Sequence, residues 1–281
     1  MKDLNRRIRD HWKRCGDFKA IQADLERRGV DIETAEPTAL AVNDQLHAGL
    51  QEATGEFAEW AGVQKGDRIL DLGAGLGGAA RFLAKTHQCR VTAVDLSPEL
   101  NQAGQELTQR LGLDDRIRHR CSDYSRFDLD EKYDIIWIQH MDMQVPDKAG
   151  LYGFAATGIE PGGKVVWHDW LSGPGGPPRW PVMWSQDGSL SFLISERKFR
   201  DLLFRAGLEL TRLETIAERT TVWFDRSRKG IKKILSRLTP ENPSMSGRIH
   251  RLRCLLEEVE TMLVNVADFR LVPFFGESMK R

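Results

Sequence analysis

No uninterrupted apolar run in this 281-residue chain approaches the ~18 residues that a membrane-spanning helix needs. The first residues, Met1-Lys2-Asp3-Leu4-Asn5-Arg6-Arg7, are charged and lack the apolar stretch of a signal peptide. Net charge is absent as well. With 41 basic residues against 41 acidic ones, no global field favours nucleic acid or an anionic membrane. Cysteine is sparse, and the four residues at 15, 89, 121 and 254 show neither C-x-x-C spacing nor a compact framework, which points to a reducing compartment. These absences lead us to expect a soluble, cytoplasmic protein with no metal site, no nucleic-acid partner and no membrane contact. A chain of this length can bury one substantial core, or a core with an accessory lobe.

What the sequence does contain is a glycine turn between acids. Arg68-Ile69-Leu70 reads as a strand and runs into Asp71-Leu72-Gly73-Ala74-Gly75-Leu76-Gly77-Gly78, and a second acid, Asp95, closes the next strand-like run, Val91 to Val94. Glycines at such a turn let the backbone approach a ligand that any Cβ would displace, and the following helix offers unpaired N–H groups. A carboxylate ending the second strand can accept both ribose hydroxyls. A nucleoside cofactor follows. Gly73, Gly75 and Gly78 also satisfy the G-x-G-x-x-G dinucleotide fingerprint, with Asp95 about 20 residues further on, so a nicotinamide dinucleotide competes. Asp71, however, stands where dinucleotide sites usually have an apolar residue or glycine, and a third acid, Asp123, follows the candidate third strand Arg116 to Arg120. A cofactor without phosphates tolerates several carboxylates that would repel a pyrophosphate.

Strand and helix alternate around this turn as a doubly wound, mostly parallel sheet requires. Phe82, Leu83 and Ala84 begin the helix after the turn, and Ser97 caps the next, with Pro98 at its first position and Gly112 as its stop. Tyr133 to His140 reads as a fourth strand, and Glu160-Pro161-Gly162-Gly163 precedes a fifth, Lys164 to Trp167. Ser195 to Ala206, stopped by Gly207, leads into a sixth, Leu208 to Ala217. Phe269 to Phe275 supplies a seventh, antiparallel strand, in which Pro273 argues against a central position.

Residues 1–62 read as a helical cover. It comprises Asp3 to Arg14, Asp17 to Arg28 closed by Gly29, and a helix carrying Leu46, Leu50, Ala53, Phe57 and Ala61 and ended by Gly62. We place the core at 63–218, a helical insertion at 219–262 and the closing strand at 263–281. In the insertion Leu252, Leu255, Leu256, Val259, Met262 and Leu263 repeat at helical spacing beside basic residues such as Arg226, Lys229 and Arg251. An amphipathic lid or a homodimer contact fits this pattern better than a nucleic-acid patch. Pro240, Pro243, Ser244, Ser246 and Gly247 mark a flexible break inside it.

From about Asp44 to about Ala217 this succession resembles the class I S-adenosylmethionine-dependent methyltransferases. The resemblance implies an α/β, Rossmann-like fold with a seven-stranded, mostly parallel sheet and helices on both faces. It implies that Gly73, Ala74 and Gly75 pack against the methionine part of S-adenosyl-L-methionine, that Asp95 holds the ribose, and that Asp123 receives the adenine amino group, with Leu96 and Tyr124 beside them. Asp44-Gln45-Leu46-His47-Ala48-Gly49 is similar to the Asp-Gln-aromatic-His-x-Gly stretch of the sarcosine/dimethylglycine-type branch, which closes over the cofactor, so Gln45 and His47 join the set. Leu46 and Leu50 depart from that pattern. Gln139 and His140, followed by Asp142, Met143 and Gln144, look like the Gln-His-x-Met-Asn part of the same branch, with Gln144 where asparagine is usual.

Methyl transfer from a sulfonium is a direct displacement, which needs alignment and the exclusion of water more than a catalytic triad. His140, then His168, are the candidate bases because histidine titrates near neutral pH, although either ring could simply hydrogen-bond the backbone at a strand end. Met143, Trp170, Trp180 and Trp184 are the candidate substrate contacts. The tryptophans could cage a substrate that becomes cationic on methylation, or pack as an ordinary lid. Arg179 could pair with a substrate carboxylate. No Asp/Asn-Pro-Pro-Tyr/Phe stretch for base amines follows the fourth strand, no Pro-Cys setting suits pyrimidine C5 chemistry, and no convergent thiols suit arsenic. The expectation is transfer to a small N, S or O nucleophile, an amine or amino-acid-like metabolite first, leaving S-adenosyl-L-homocysteine. An NAD(P)-dependent oxidoreductase and a catalytically silent cofactor-binding scaffold are the alternatives.

Overall fold

The computed structural model describes residues 2–15, 18–47, 49–238 and 246–281. Its strands are β1 (Arg68–Leu72), β2 (Arg90–Asp95), β3 (Ile117–Cys121), β4 (Tyr133–Gln139), β5 (Ile159–Ser172), β6 (Leu208–Thr215) and β7 (Leu271–Lys280). They form one sheet in the order β3-β2-β1-β4-β5-β7-β6. The first five pair in parallel, whereas β7 runs antiparallel to both β5 and β6. The helices are α1 (Lys2–Trp12), α2 (Phe18–Arg27), α3 (Pro37–Asp44), α4 (Leu50–Ala61), α5 (Gly78–Thr86), α6 (Pro98–Arg110), α7 (Lys148–Gly158), α8 (Glu196–Arg205), α9 (Ala217–Leu235) and α10 (Ser246–Ala267).

Period-two alternation divides the core between the two faces of the sheet. Ile135 and Trp137 point into one apolar cluster with Phe57, Leu83 and Phe275, while Ile136 and Ile138 point into the other with Tyr152, Trp167 and Phe199. Both faces are covered, so the central strands are continuous apolar runs. Phe57 of α4 is the hinge of the first cluster: its ring centroid lies 4.1 Å from Trp137, 4.9 Å from Phe275 and 5.6 Å from His168.

The structure departs from the sequence reading in five places. Leu46 belongs to no helix, because α3 ends at Asp44 and α4 begins only at Leu50, after Gly49 with φ of 78°. A Cβ on Gly49 would stand 2.6 Å from the Trp223 ring, so the apolar spacing that suggested one helix runs through a turn. The helix after the glycine turn begins at Gly78 rather than Phe82. The fifth strand starts at Ile159, and Glu160–Gly163 are absorbed into it through a register irregularity opposite Tyr133 and Ile135.

Pro273 does lie in an interior strand. Its carbonyl accepts from Ile216, just past the end of β6, so the missing N–H falls where the ladder is already ending. Finally, α9 and α10 extend beyond 219–262 on both sides, and Trp223, Phe224, Val259 and Met262 spend their apolar surface inside the chain's own core. Asp17, Ala48, Pro240, Pro243 and Ser244 lie outside the described residues; Ser246 and Gly247 open α10.

Replacing Phe57 by alanine leaves a cavity between three rings. We expect it to cost about 3–5 kcal/mol, read as a lower urea midpoint with an unchanged m-value; a loss under 1 kcal/mol would show that α4 is not a keystone of this core.

Candidate active site

Strand order reverses between β1 and β4, and open parallel sheets bind ligands outside the carboxyl ends of the strands at such a point. A cleft with a cavity volume of about 190 Å³ opens there. Gln45, His47, Gly73, Ala74, Gly75, Asp95, Leu96, Asp123, Tyr124 and Gln139 all line it, together with His140. The sequence reading missed the roof. Asn5, Arg9 and Trp12 of α1 also line the cleft, and their only signal was an amphipathic, charged helix with no site-like pattern.

The turn glycines serve different purposes. A Cβ on Gly73, which has φ of 76°, would meet Met141 at 2.6 Å, and one on Gly78 would meet the Asp44 carbonyl at 2.6 Å, so both are demanded by the protein's own packing. Gly75, with φ of 56°, has room for a Cβ, 4.0 Å from Leu46 Cδ1, and donates its N–H to Asp95 Oδ2 at 2.8 Å. Asp95 Oδ1 accepts from Ser97 N at 2.8 Å. Burial raises the Asp95 carboxyl above the usual range, and these two bonds partly offset it.

Asp71 is the less satisfied partner. Its Oδ2 is buried without a hydrogen bond, and burial, then the neighbouring Asp95, push its pKa up to about 7. An orphaned buried carboxylate oxygen costs free energy unless a cation meets it. Asp123 differs again: burial alone would raise it, but bonds from Ser125 and from Asn5 (2.6 Å to Oδ2) outweigh that and hold its carboxyl low. Among the described residues, Asp44, Asp71, Asp95, Asp123 and Asp147 line the cleft against a single cation, Arg9. Arg81 neutralises Asp44 in a buried pair at 2.7 Å, which ties the segment before Gln45 to α5. Such a field favours a cationic ligand and repels a pyrophosphate.

A polar chain runs from the cleft into the core. Gln45 Oε1 meets His47 Nε2 at 3.0 Å and accepts from Thr54 Oγ1 at 2.8 Å; Gln139 Nε2 reaches Thr54 Oγ1 at 3.2 Å and His168 Nδ1 at 3.1 Å. Trp170 Nε1 donates to His140 Nδ1 at 3.1 Å, and His140 Nε2 lies 3.2 Å from His168 Nε2. Burial, then His47, drive the His140 pKa well below its ordinary value, and burial, then His140, do the same to His168. Burial therefore favours the neutral form of both rings. His140 has φ of 53°, and Asp169 secures the loop after it by accepting from the N–H groups of Met141, Asp142 and Met143.

Met143, Trp170 and Trp184 line a second, smaller cavity with Met183 and Phe224. Trp12, Leu46, His47 and His140 border both cavities. The second has a volume of about 20 Å³, room for little more than one water. Trp170 and Trp184 rings lie 5.8 Å apart. Trp180 is not with them: it packs over Gly188, where a Cβ would stand 2.6 Å from its ring. Arg179 turns to Asp268 at 3.2 Å. Trp12 closes the roof by donating to Gln144 Oε1 at 2.8 Å.

This sheet, with its acidic cleft at the switch point, has recognisable relatives. Residues 69–163 match the family model of a methyltransferase domain. A glycine/sarcosine/dimethylglycine N-methyltransferase of Actinopolyspora halophila is 33% identical over 164 residues, 57% of this chain and 28% of that enzyme. The matches span about a quarter to a third of the length of such curated relatives. Among solved structures, one described as a candidate sarcosine dimethylglycine methyltransferase from Galdieria sulphuraria superposes with a TM-score of 0.65 at 21% identity, covering 82% of this chain and 84% of that one. The phosphoethanolamine N-methyltransferase 2 of Haemonchus contortus, holding phosphomonomethylethanolamine and S-adenosylhomocysteine, superposes at 0.74 with 18% identity, covering 97% and 60%. Residues 69–163 thus match a methyltransferase domain, set in a seven-stranded, mostly parallel Rossmann-like sheet.

Asp71 generates a test of the cleft's charge. In the free protein it holds a proton below about pH 7, and the ammonium group of S-adenosylhomocysteine favours the ionised form, so binding releases that proton. Affinity is expected to rise as pH climbs from 6 towards 7 and then level off, with proton release read by calorimetry in buffers of different ionisation enthalpy. Unchanged release in Asp71→Asn would assign the proton elsewhere.

Proposed function

We propose that this protein transfers a methyl group from S-adenosyl-L-methionine to a nitrogen, sulfur or oxygen atom of a small molecule, with an amine as the first class to test. The observation that carries this reading is the pair Asp71 and Asp95 at the switch point, one with an orphaned buried oxygen and neither in a salt bridge among the described residues. The residues present fit the cofactor: Asp71 suits its ammonium group, Asp95 the ribose hydroxyls, and Asp123 with Asn5 the polar edge of adenine. When bound, it supplies an electrophilic methyl group on a cationic sulfur.

The chain's own residues then do the positioning. His47 and His140, stacked with centroids 5.0 Å apart, form the wall between the two cavities. His140, whose burial favours the neutral form, sets no positive charge beside a cationic ligand. His168 holds His140 from behind as a positioning residue, and Trp12 and Leu46 exclude water from above. Relatives named for glycine, sarcosine, dimethylglycine and phosphoethanolamine support an amine acceptor. Cys89, Cys121 and Cys254 form no disulfide among the described residues, which suits the reducing cytoplasm where we place the protein. We assign α9 and α10 to covering the site within one chain rather than to a dimer contact.

Asp95→Ala removes an acceptor worth about 1.5–3 kcal/mol per charged hydrogen bond. We expect its affinity for S-adenosylhomocysteine to fall by about 100-fold or more, and unchanged affinity would sink the assignment. His140→Ala is expected to keep that affinity within threefold and lose most turnover across an acceptor panel; full turnover would remove His140 from the reacting centre.

A further inference from the structure

Beneath the loop after β4 lies a buried charge cluster that is not part of the cleft. Lys148 opens α7 and is costly there twice over, since a helix N-terminus repels a cation and burial strips its water. Asp142, Lys148, Tyr152 and Asp169 are each at most 5% exposed. Solvent supplies them no counter-charge, and none of the four lines either cavity. Among the described residues, the Lys148 ammonium meets Asp142 twice: Nζ lies 2.7 Å from Oδ1 and donates to the Asp142 carbonyl. Oδ1 has no hydrogen bond, so that ammonium is what compensates it. Tyr152 donates to Oδ2 at 2.7 Å and anchors Asp142 to the core beside Trp167 and Phe199.

Asp142 is also the middle one of three consecutive residues whose N–H groups converge on Asp169. Met141 and Asp142 donate to Oδ2 at 2.8 Å, while Met143 at 3.2 Å and Trp170 at 2.8 Å donate to Oδ1, which fills both lone pairs of each oxygen. One loop thus carries a carboxylate of its own while its backbone embraces another. Burial, then Asp142, push the Asp169 carboxyl up to about 7, and Lys148 pulls it back. On β7, Phe274 pairs with Asp169 and brings no charge. Two buried carboxylates stay this close only while an ammonium stands with them.

Resting on the methyltransferase reading above, we propose that Lys148 is a positioning residue of the cofactor site: by neutralising Asp142 it keeps the loop fastened to Asp169, and the loop presents His140, Met141 and Gln144 to the cleft. Without the ammonium, the two carboxylates repel through the backbone that joins them, and Oδ1 of Asp142 is left buried and bare. The loop then leaves Asp169, and its cleft-lining residues shift with it. The remedy is as specific as the defect. An amide at position 142 removes the repulsion and keeps an acceptor for Tyr152.

Amide hydrogen exchange at Met141, Asp142 and Met143, with the amides of β1 as the internal reference, reads the loop at about pH 8. Calorimetric titration with S-adenosylhomocysteine reads the cleft. Lys148→Met is expected to lower loop protection by about tenfold or more beyond any change in β1, and to weaken S-adenosylhomocysteine binding by about tenfold. Adding Asp142→Asn to Lys148→Met should recover most of both losses, which repair of a packing defect would not do. Loop protection that merely follows β1, unchanged affinity, or losses that Asp142→Asn does not repair would overturn the proposal and leave the methyltransferase reading intact. Failure of the wild-type protein to bind S-adenosylhomocysteine overturns both. Should Lys148→Met not fold, the double variant decides: a folded protein with its loop protection restored is expected, and loss of the fold in both contradicts the proposal.

Discussion

The site depends on two carboxylates being held where parallel strands end, neither of them in a salt bridge among the described residues. Asp95 is fixed by two backbone N–H groups, which orient it without neutralising it. Asp71, one strand over, is left with an unsatisfied buried oxygen and a pKa pushed up to about 7. A fold that leaves such a group unpaired forgoes stability at that point, and the loss is offset when a cationic ligand arrives. The same arrangement disfavours a pyrophosphate, although the glycine spacing alone would have accepted one.

Everything around the acids serves to keep that cleft in shape. Arg81 and Asp44 lock the segment carrying Gln45 and His47 onto α5, and Gly78 is required because the Asp44 carbonyl occupies the space of a side chain. On the far side, Asp169 gathers three consecutive backbone N–H groups and so fixes the loop bearing His140 and Met143. Phe57 joins these parts to the core through Trp137, Phe275 and the buried His168. Packing, ion pairing and the polar chain from Gln45 to Trp170 are therefore one structure, and a change in any of them reaches the wall between the two cavities.

Much of this was legible in the residue order because the signals were local. Glycines with fixed spacing, an acid closing each early strand, and Ser97-Pro98 or Ser195 opening a helix each report their own backbone. What escaped was set by distant contacts. Leu46 fits a helical repeat, yet the chain turns at Gly49, whose φ is 78°, and Trp223 of α9 fills the space a side chain there would need. Pro273 looked unfit for an interior strand, but the ladder ends at its N–H side. Trp12, Asn5 and Arg9 sit in an ordinary charged helix, and only the folded chain brings them over the cleft. The histidines show the limit most plainly: their residue type suggested a base, while the burial that lowers both pKa values and the Trp170 N–H that meets His140 are tertiary effects.

The charge of the cleft is the central claim, and competitive titration tests it most directly. Wild-type protein at low salt, titrated with S-adenosyl-L-methionine and separately with NAD, is expected to bind one molecule of the sulfonium nucleoside per chain and to show no saturable binding of the dinucleotide at millimolar concentration. Tight binding of NAD, or weaker binding of S-adenosyl-L-methionine than of NAD, would contradict the account.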